Sequence, residues 1–219
     1  DIGGSKNGSE FSFRRPFREV HHSTTSRALL GGGTVPRPGE ITLAHRGVLF
    51  LDELTEFQPK VMEALRQPLE DCEIHISRVN HRYVFPANFM LAAAINPCKC
   101  GYYPDRSKCS CTDYEINRYL GKLSAPLLDR IDLGFFVTKA GIEEIDEKTD
   151  TAEHSETIRA KIEEAFQIQH RRYKDTDIKF NSGLPSKLIR RYCVMEAEAE
   201  ELLKTAYKKM NLTTRAYYK

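Results

Sequence analysis

Several features that would assign a class to this chain are missing from its 219 residues. Tryptophan is absent, and no run of about 18 apolar residues occurs, so no transmembrane helix is predicted. The first residues offer neither an initiator Met nor the apolar segment of a signal peptide. The net charge is only +2, so bulk electrostatics does not indicate nucleic-acid binding and local clusters must be examined instead. The phosphate-loop pattern G-x-x-x-x-G-K-[ST] is also absent.

What remains is an ordinary globular composition, with 40% hydrophobic and 29% charged residues. Residues 1–15 are rich in Gly, Ser and Lys and are predicted to be a flexible lead-in. Residues 16–140 carry short apolar runs between breakers, and residues 150–219 carry helical patterns. The chain starts without Met and stops where a helix begins, which we interpret as a piece cut from a longer protein. The expected fold class is α/β, followed by a small helical domain.

Four of the six cysteines lie within fourteen residues: Cys98, Cys100, Cys109 and Cys111. In a chain without a leader, such clustering favours metal binding or reduced thiols over a disulfide framework, and a cytoplasmic location. Four thiolates can hold Zn²⁺ tetrahedrally, although both pairs are C-x-C and the usual spacing is C-x₂₋₄-C. The alternative is a surface loop of reduced thiols.

Three apolar runs predict parallel strands covered on both faces. Gly47–Leu51 ends in Asp52-Glu53, Phe89–Ile95 ends at Asn96, and Leu133–Val137 is the third run. Residues 16–47 hold many Gly and Pro residues and predict a long functional loop with one helical turn near Ser23–Leu30.

Other patterns predict a hairpin and helices. Alternation over Glu73–Ser77 and Arg82–Phe85 predicts the hairpin. Helical spacing or capping residues predict five helices, over Gln58–Leu69, Asp113–Gly121, a stretch including Ile158, Ile162 and Phe166, Ser186–Tyr192 capped by Ser186, and Val194–Met210. Asp150 and Glu153 have the spacing of a capping pair.

The two acids after the first apolar run have a chemical interpretation. Phosphoryl transfer needs Mg²⁺ near the phosphates and an attacking water held in line. Ligands of open α/β sheets bind beyond the carboxyl ends of the strands. Asp52 is therefore a candidate Mg²⁺ ligand, Glu53 a candidate water-orienting base, and Asn96 a candidate partner of the γ-phosphate. The alternatives are solvated acids at a strand end and a turn-forming Asn-Pro.

In combination, these motifs resemble the magnesium-chelatase-like AAA+ ATPases, specifically the competence protein ComM group. The resemblance covers about residues 14–219. It rests on Arg15-Pro-Phe-Arg-Glu-Val-His-His22, Gly47-Val-Leu-Phe-Leu-Asp-Glu-Leu54, Leu91-Ala-Ala-Ala-Ile-Asn-Pro-Cys98, Ser124-Ala-Pro-Leu-Leu-Asp-Arg-Ile-Asp132 and Thr214-Arg-Ala-Tyr217.

The resemblance implies roles that composition does not reveal. Asp52 and Glu53 match Walker B, and Asn96 matches sensor 1. Arg130 matches the arginine finger that reaches the ATP of a neighbouring subunit, the alternative being a salt bridge with Asp129 or Asp132. Arg215 matches sensor 2 on the helical lid. Also implied are ATP and Mg²⁺ as cofactors and a homo-oligomeric ring, a hexamer, acting on DNA. Because the phosphate loop is missing, we expect this chain alone to be inactive.

The hairpin resembles an insert that related ring motors point into their central pore. Its basic residues Arg78, His81 and Arg82 are therefore candidate DNA contacts, the alternative being a solvated basic turn.

Two other functions stay open. One is a magnesium chelatase ATPase subunit, which powers Mg²⁺ insertion into a porphyrin, although the cysteine segment favours the ComM group. The other is a zinc-stabilised interaction module without ATPase activity.

Overall fold

The computed structural model describes residues 14–77, 81–137 and 153–218. Backbone contacts divide the chain into two units, Asp1–Asp132 and Leu133–Lys219. The first unit contains β1 (Phe17–Val20), α1 (Ser26–Leu30), β2 (Gly31–Gly32), β3 (Arg37–Pro38), α2 (Glu40–Leu43), β4 (Val48–Leu51), α3 (Pro59–Ala64), α4 (Arg66–Asp71), β5 (Glu73–Ser77), β6 (Arg82–Pro86), β7 (Met90–Ala93), α5 (Asp113–Leu120) and α6 (Ala125–Leu128). The second contains α7 (Ser155–Arg172), α8 (Ser186–Tyr192), α9 (Ala197–Lys209) and α10 (Thr214–Tyr218).

A parallel sheet of three strands, in the order β1–β4–β7, forms the centre of the first unit. Val20 pairs with Leu51 and Leu51 with Ala93, so all three strands end at the same edge. Together with the helices that flank it and the helical second unit, this sheet confirms the expected fold class of a partial AAA+ core followed by helices.

The two faces of the sheet differ in burial. Leu49 and Leu51 are fully buried and belong to a core that also contains residues of α1, α2 and α3. On the other face, Phe17 is 62% and Met90 61% exposed, and Phe17 stacks on Phe50. The prediction that these runs are covered on both faces is therefore wrong for the described residues, and β7 in particular is not a buried strand.

Strand β1 lies in a region that the sequence predicts to be a loop. Its four residues include two charged ones, Arg18 and Glu19, so neither an apolar run nor a clean alternation is visible. Arg18 is accommodated by an ion pair with Glu40 at the start of α2, at 2.7 Å. The predicted helical turn is confirmed as α1, which Thr25 caps by accepting from the backbone N–H of Ala28.

The helix predicted over Gln58–Leu69 is two helices, α3 and α4, that meet at Leu65. Pro68 explains the break, because it has no N–H to donate to the carbonyl of Ala64 and its ring crowds that carbonyl.

The hairpin and the helix after the cysteines are confirmed as β5–β6 and α5. The third predicted strand, Leu133–Val137, is wrong. These residues are described without strand structure, and Leu133, Phe135, Phe136 and Val137 are 85–90% exposed. An apolar run becomes a strand only when a neighbouring strand pairs with it, and local sequence does not supply that neighbour.

In the second unit, α7 confirms the predicted amphipathic helix, but its apolar face is open, with Ile162 63% exposed. The helices expected near 186–192 and 194–210 are α8 and α9. Ser186 is the first residue of α8 and not its cap, since Pro185 takes the cap position. Asp150 of the expected capping pair lies outside the described residues. Within the described part of the chain, no helix is both long and apolar enough to cross a membrane.

Candidate functional site

The acid pair lies at the carboxyl edge of the sheet, directly after β4. Both side chains are exposed. Asp52 accepts a hydrogen bond from the backbone N–H of Glu53 at 2.8 Å. Glu53 has left-handed backbone angles, with φ 50° and ψ 49°, a conformation that side-chain-bearing residues seldom adopt and that is frequent at functional sites. The turn therefore directs two neighbouring carboxylates out of the sheet edge.

The turn after the acids is fixed from beneath by α5. The hydroxyl of Thr55, a fully buried residue, donates to the phenol oxygen of Tyr119 at 2.5 Å. Lys122 donates to the Thr55 carbonyl at 3.0 Å. Burial raises the pKa of Tyr119 above its ordinary value. One contact from α5 and one from Lys122, just after that helix, thus hold the segment that orients Asp52 and Glu53.

A histidine missed by the sequence analysis as part of this site lies beside Glu53. The Nδ1 atom of His22 is 3.5 Å from the Glu53 carboxylate. The ring of His22 also packs on His21, with centroids 4.0 Å apart. Both histidines follow β1 at the edge where the acids follow β4. The sequence shows this feature as a His-His pair after Phe-Arg-Glu-Val. The pair indicates a site residue only when Phe17–Val20 is known to be a strand that ends at the same edge as β4.

Asn96 lies three residues beyond β7 at the same edge and is exposed. Pairing continues past the strand ends, because Leu54 donates to the Ala94 carbonyl at 3.0 Å. The structure therefore brings the Asn96 segment next to the acid turn.

Arg130 is held within its own unit. Its side chain is only 14% exposed and forms an ion pair with Glu70 of α4. It also donates to the carbonyl of Pro126 at 2.5 Å. The guanidinium borders a cavity of ≈ 310 Å³ lined by Glu63, Arg66, Gln67, Glu70, Asp71 and Arg130. The partners expected from the sequence were Asp129 or Asp132, and Glu70 lies 60 residues from Arg130 along the chain.

Arg215 lies in the second unit, on the short helix α10, and is partly buried. Thr213 precedes this helix and accepts from the backbone N–H of Ala216 at 3.1 Å. The ring of Tyr217 packs against Tyr207 of α9 with centroids 5.3 Å apart. These contacts fix Arg215 within its own unit.

The four clustered cysteines converge. Their Sγ atoms all lie within 4.8 Å of one another. The Sγ of Cys98 is 3.3 Å from that of Cys100 and 3.8 Å from that of Cys109, and Cys100 and Cys109 are 3.6 Å apart. Tetrahedral zinc with Zn–S bonds of about 2.3 Å places its sulfurs about 3.8 Å apart. The donor set therefore fits a metal of that size.

Electrostatics within the cysteine group is uneven. Burial acts to raise the pKa of Cys98, but hydrogen bonds from the backbone of Tyr103 and from Cys100 outweigh it and lower the pKa to about 6. Burial, with the neighbouring thiols, raises the pKa of Cys109 to about 12. One thiolate therefore forms readily, but its negative charge disfavours the formation of further thiolates. This is expected where negative charges crowd without a cation.

Contacts outside the thiols hold the cysteine loop in shape. Arg106 donates to the carbonyl of Cys111 at 2.9 Å, forms an ion pair with Asp113 and lies 5.1 Å from the ring centroid of Tyr103. A capping box between Thr112 and Glu115 starts α5 directly after Cys111. The loop is thus continuous with the helix that supports the acid turn.

The hairpin presents His81 and Arg82 to solvent, whereas Arg78 lies outside the described residues. Arg82 lies 3.4 Å from Nδ1 of His75 on the paired strand. His81 packs edge-on against Tyr83, with ring centroids 6.1 Å apart. The described part of the hairpin therefore carries exposed basic and aromatic groups.

Comparison with known proteins matches both units. The family model "Magnesium chelatase, subunit ChlI" matches residues 2–145, and the model of its C-terminal part matches residues 152–219. The chain is 45% identical to competence protein ComM of Haemophilus influenzae over 94% of its length, which is 40% of that protein. It is 39% identical to the uncharacterised protein YifB of Salmonella typhimurium over 93% of its length, 39% of that protein. An uncharacterised MCM-type protein of Methanocaldococcus jannaschii is 32% identical over 68% of the chain, 19% of that protein. The chain thus spans about two fifths of the length of the first two relatives.

Proposed function

The chain belongs to the magnesium chelatase subunit ChlI family, and from that premise we propose that it is the hydrolysis and sensing portion of an AAA+ ATPase that works as a ring on DNA. The observation that carries the proposal is the convergence of Asp52, Glu53 and the Asn96 segment at one edge of a parallel sheet. Support for DNA as the partner comes from the hairpin, whose basic residues His81 and Arg82 are exposed.

The sheet edge that carries Asp52 and Glu53, which we call the acid edge, offers the oxygen ligands that Mg²⁺ and ATP require. Mg²⁺ prefers carboxylate and phosphate oxygens, and Asp52 offers an exposed carboxylate. Bound Mg²⁺ would neutralise charge on the β- and γ-phosphates. Glu53 would accept a proton from the attacking water, and Asn96 would donate its amide to a phosphate oxygen.

His22 has a defined part in this proposal. At 3.5 Å from the Glu53 carboxylate, its ring limits the directions in which that carboxylate can point. The left-handed backbone of Glu53 fixes the other end of the side chain.

Arg130 would neutralise phosphate charge in a neighbouring subunit, as an arginine finger does. In this chain the guanidinium is engaged by Glu70 and Pro126. Reaching a neighbour therefore requires an exchange of the Glu70 carboxylate for a phosphate. Arg215 would contact the nucleotide from the helical unit.

Zinc is the metal that we propose for the four cysteines. Their Sγ distances fit a tetrahedral thiolate site. Bound zinc would neutralise the crowded thiolates and pin a loop whose own small core contains little beyond Cys98, Cys109 and Ile116. The role is structural, since all four ligands would come from the protein.

Magnesium chelation is the second candidate, favoured by the description of the matching family model. The two functions differ in what stimulates hydrolysis. A DNA motor hydrolyses ATP faster with added DNA, whereas a chelatase subunit responds to its porphyrin-binding partners.

The test of the ATPase proposal replaces Glu53 with Gln in the full-length protein. ATP binding should persist, because Gln leaves Asp52 and the phosphate contacts in place. Hydrolysis should fall by about 10²-fold or more, because the proton acceptor is gone. Binding is measured by titration and hydrolysis by phosphate release.

Glu56→Gln is the matched control. Glu56 lies three residues further on, is exposed, and sits 3.6 Å from Lys122. It should retain nearly full activity. Equal loss in both variants, or an active Glu53→Gln protein, would contradict the assignment.

A further inference from the structure

A concentrated basic surface in the helical unit is not used by the proposed ATPase site. Residues 170–191 contain seven Lys or Arg and two Asp, a net charge of +5. The whole chain has +2, so the remaining residues carry a net −3. The basic surface consists of Arg171, Arg172, Lys174, Lys179, Lys187, Arg190 and Arg191.

Packing brings the segments of this surface together. Tyr173, at the end of α7, is 2% exposed and packs edge-on against Tyr192 at the end of α8, with centroids 5.1 Å apart. Asn181 accepts hydrogen bonds from Tyr173 at 2.9 Å and Arg172 at 3.1 Å. The ends of α7 and α8 therefore lie side by side, and their cations form one surface.

Helix α8 shows how the charges are displayed. Lys187, Arg190 and Arg191 have i, i+3, i+4 spacing and share one face. The partly buried Leu188, Ile189 and Tyr192 lie on the opposite side. All seven basic residues of the surface are exposed. The apolar side of α8 is used for packing, and its cationic side faces solvent.

These cations form no ion pair with a carboxylate in the described part of the chain, although Asp175 and Asp177 lie in the same segment. Among the described residues, the ion pairs include Lys161, Lys204, Arg106 and Arg130 but none of the seven. Glu200 is close enough to Arg190 to be affected by its charge, but it pairs with Lys204 at 2.7 Å. The seven cations thus outnumber the two carboxylates of the segment, Asp175 and Asp177, and the surface keeps a net positive charge.

We propose that this basic surface binds the phosphate backbone of DNA, as a contact separate from the hairpin. Protein interfaces usually have an apolar or aromatic centre inside a polar rim. Here the aromatic residues Tyr173 and Tyr192 pack on each other within the unit, so they do not form such a centre. A surface with seven cations and only two carboxylates suits a polyanion, whose affinity comes from phosphate contacts. Over the roughly 10 Å length of α8, duplex DNA carries about six negative charges. The proposal does not depend on ATP hydrolysis.

The test compares two triple variants of the 219-residue chain. One neutralises the basic surface with Lys187→Gln, Arg190→Gln and Arg191→Gln. The control removes three exposed cations of the first unit with Arg37→Gln, Lys60→Gln and Arg118→Gln. Each variant loses three positive charges, so any difference reports the position of the charges. Circular dichroism checks that both variants keep their helices.

Binding of a fluorescent DNA duplex is measured over a range of salt concentrations. The basic-surface variant should lose at least tenfold in affinity at low salt. Its slope of log K against log salt should fall by about 0.9 for each phosphate contact removed. Arg190→Lys with Arg191→Lys, which keeps the charge, should retain affinity.

Affinity and slope unchanged from those of the control variant would overturn the proposal. So would binding to anionic vesicles or an acidic peptide with none to DNA, because the partner would then be of another class. The separate variant Arg82→Gln reports on the hairpin, so failure of one DNA contact is distinguishable from failure of the other.

Discussion

At the scale of single residues, Gly47 must lack a side chain because two backbone segments meet there. The motif that contains Gly47 does not reveal this reason. The start of β4 passes so close to β1 that a Cβ on Gly47 would lie 1.9 Å from the carbonyl oxygen of Pro16. That carbonyl accepts from the N–H of Val48 at 2.9 Å. Any side chain at position 47 would separate the strands where their pairing begins.

Gly47→Ala should therefore destabilise the first unit by at least about 2 kcal/mol, because backbone atoms cannot yield as a flexible side chain does. Chemical denaturation followed by circular dichroism measures the change. Gly183→Ala is the control, since nothing lies within 4 Å of a Cβ there, and it should be neutral or slightly stabilising. Equal stability of the two variants would refute the close approach.

Arg130 and Arg66 offer a second comparison between residues, because both line the same cavity. In the full-length protein, Arg130→Ala should reduce hydrolysis strongly, by about 10³-fold if it acts like the fingers of GTPases, while ATP binding remains. Arg66 pairs with Glu63 at 2.5 Å, so Arg66→Ala should change stability by less than about 1 kcal/mol and leave hydrolysis largely intact. Phosphate release and ATP titration distinguish the two, and similar losses would mean that the cavity is only structural.

At the scale of elements, the sequence pattern predicted those helices and strands that depend on neighbouring residues in the chain. The hairpin followed from alternation, and α5 from its helical pattern between Thr112 and Gly121. Strand β1 was missed because Arg18 needs Glu40, 22 residues away, to be tolerated. The strand at Leu133–Val137 was wrong because strands depend on partners that a local window cannot contain. The cysteine cluster was visible in the sequence, but the approach of its sulfurs was not.

The cysteine loop carries the prediction at this scale. The purified chain should contain one zinc per molecule, measured by elemental mass spectrometry without added chelator. Cys98→Ser with Cys109→Ser should abolish zinc binding, because two of four ligands are lost. It should also lower the melting temperature, because the loop leads directly into α5.

Cys72→Ser with Cys193→Ser is the matched control. Both cysteines are exposed and lie outside the group, so zinc content and melting temperature should stay unchanged. Far less than one zinc in freshly prepared wild-type protein would exclude the metal.

At the scale of the whole molecule, the chain joins two units with different contributions. The first supplies the acid edge and the second supplies Arg215 and the basic surface. The 219 residues contain no G-x-x-x-x-G-K-[ST] loop, whose backbone N–H groups and Lys supply most phosphate binding. The order of the motifs predicts this division of labour, which stays a prediction, whereas the Glu70 and His22 contacts became visible only in the fold.

The chain alone should consequently bind ATP only weakly and hydrolyse none measurably. Titration of labelled ATP into the purified chain tests the first expectation, and phosphate release tests the second. Full-length protein provides the positive control. Micromolar affinity in the isolated chain would show that phosphate binding has another source.

The uncovered sheet face has a practical consequence for anyone handling this chain. Phe17 and Met90 are more than 60% exposed, and among the described strands β7 pairs only with β4. Bare apolar surface beside an unpaired strand edge promotes stacking and edge-to-edge pairing of copies. The apparent molar mass from light scattering should increase with protein concentration, and gel-filtration peaks should broaden. Because this association increases with concentration, samples should be stored dilute, or the chain should be co-expressed with the rest of the protein.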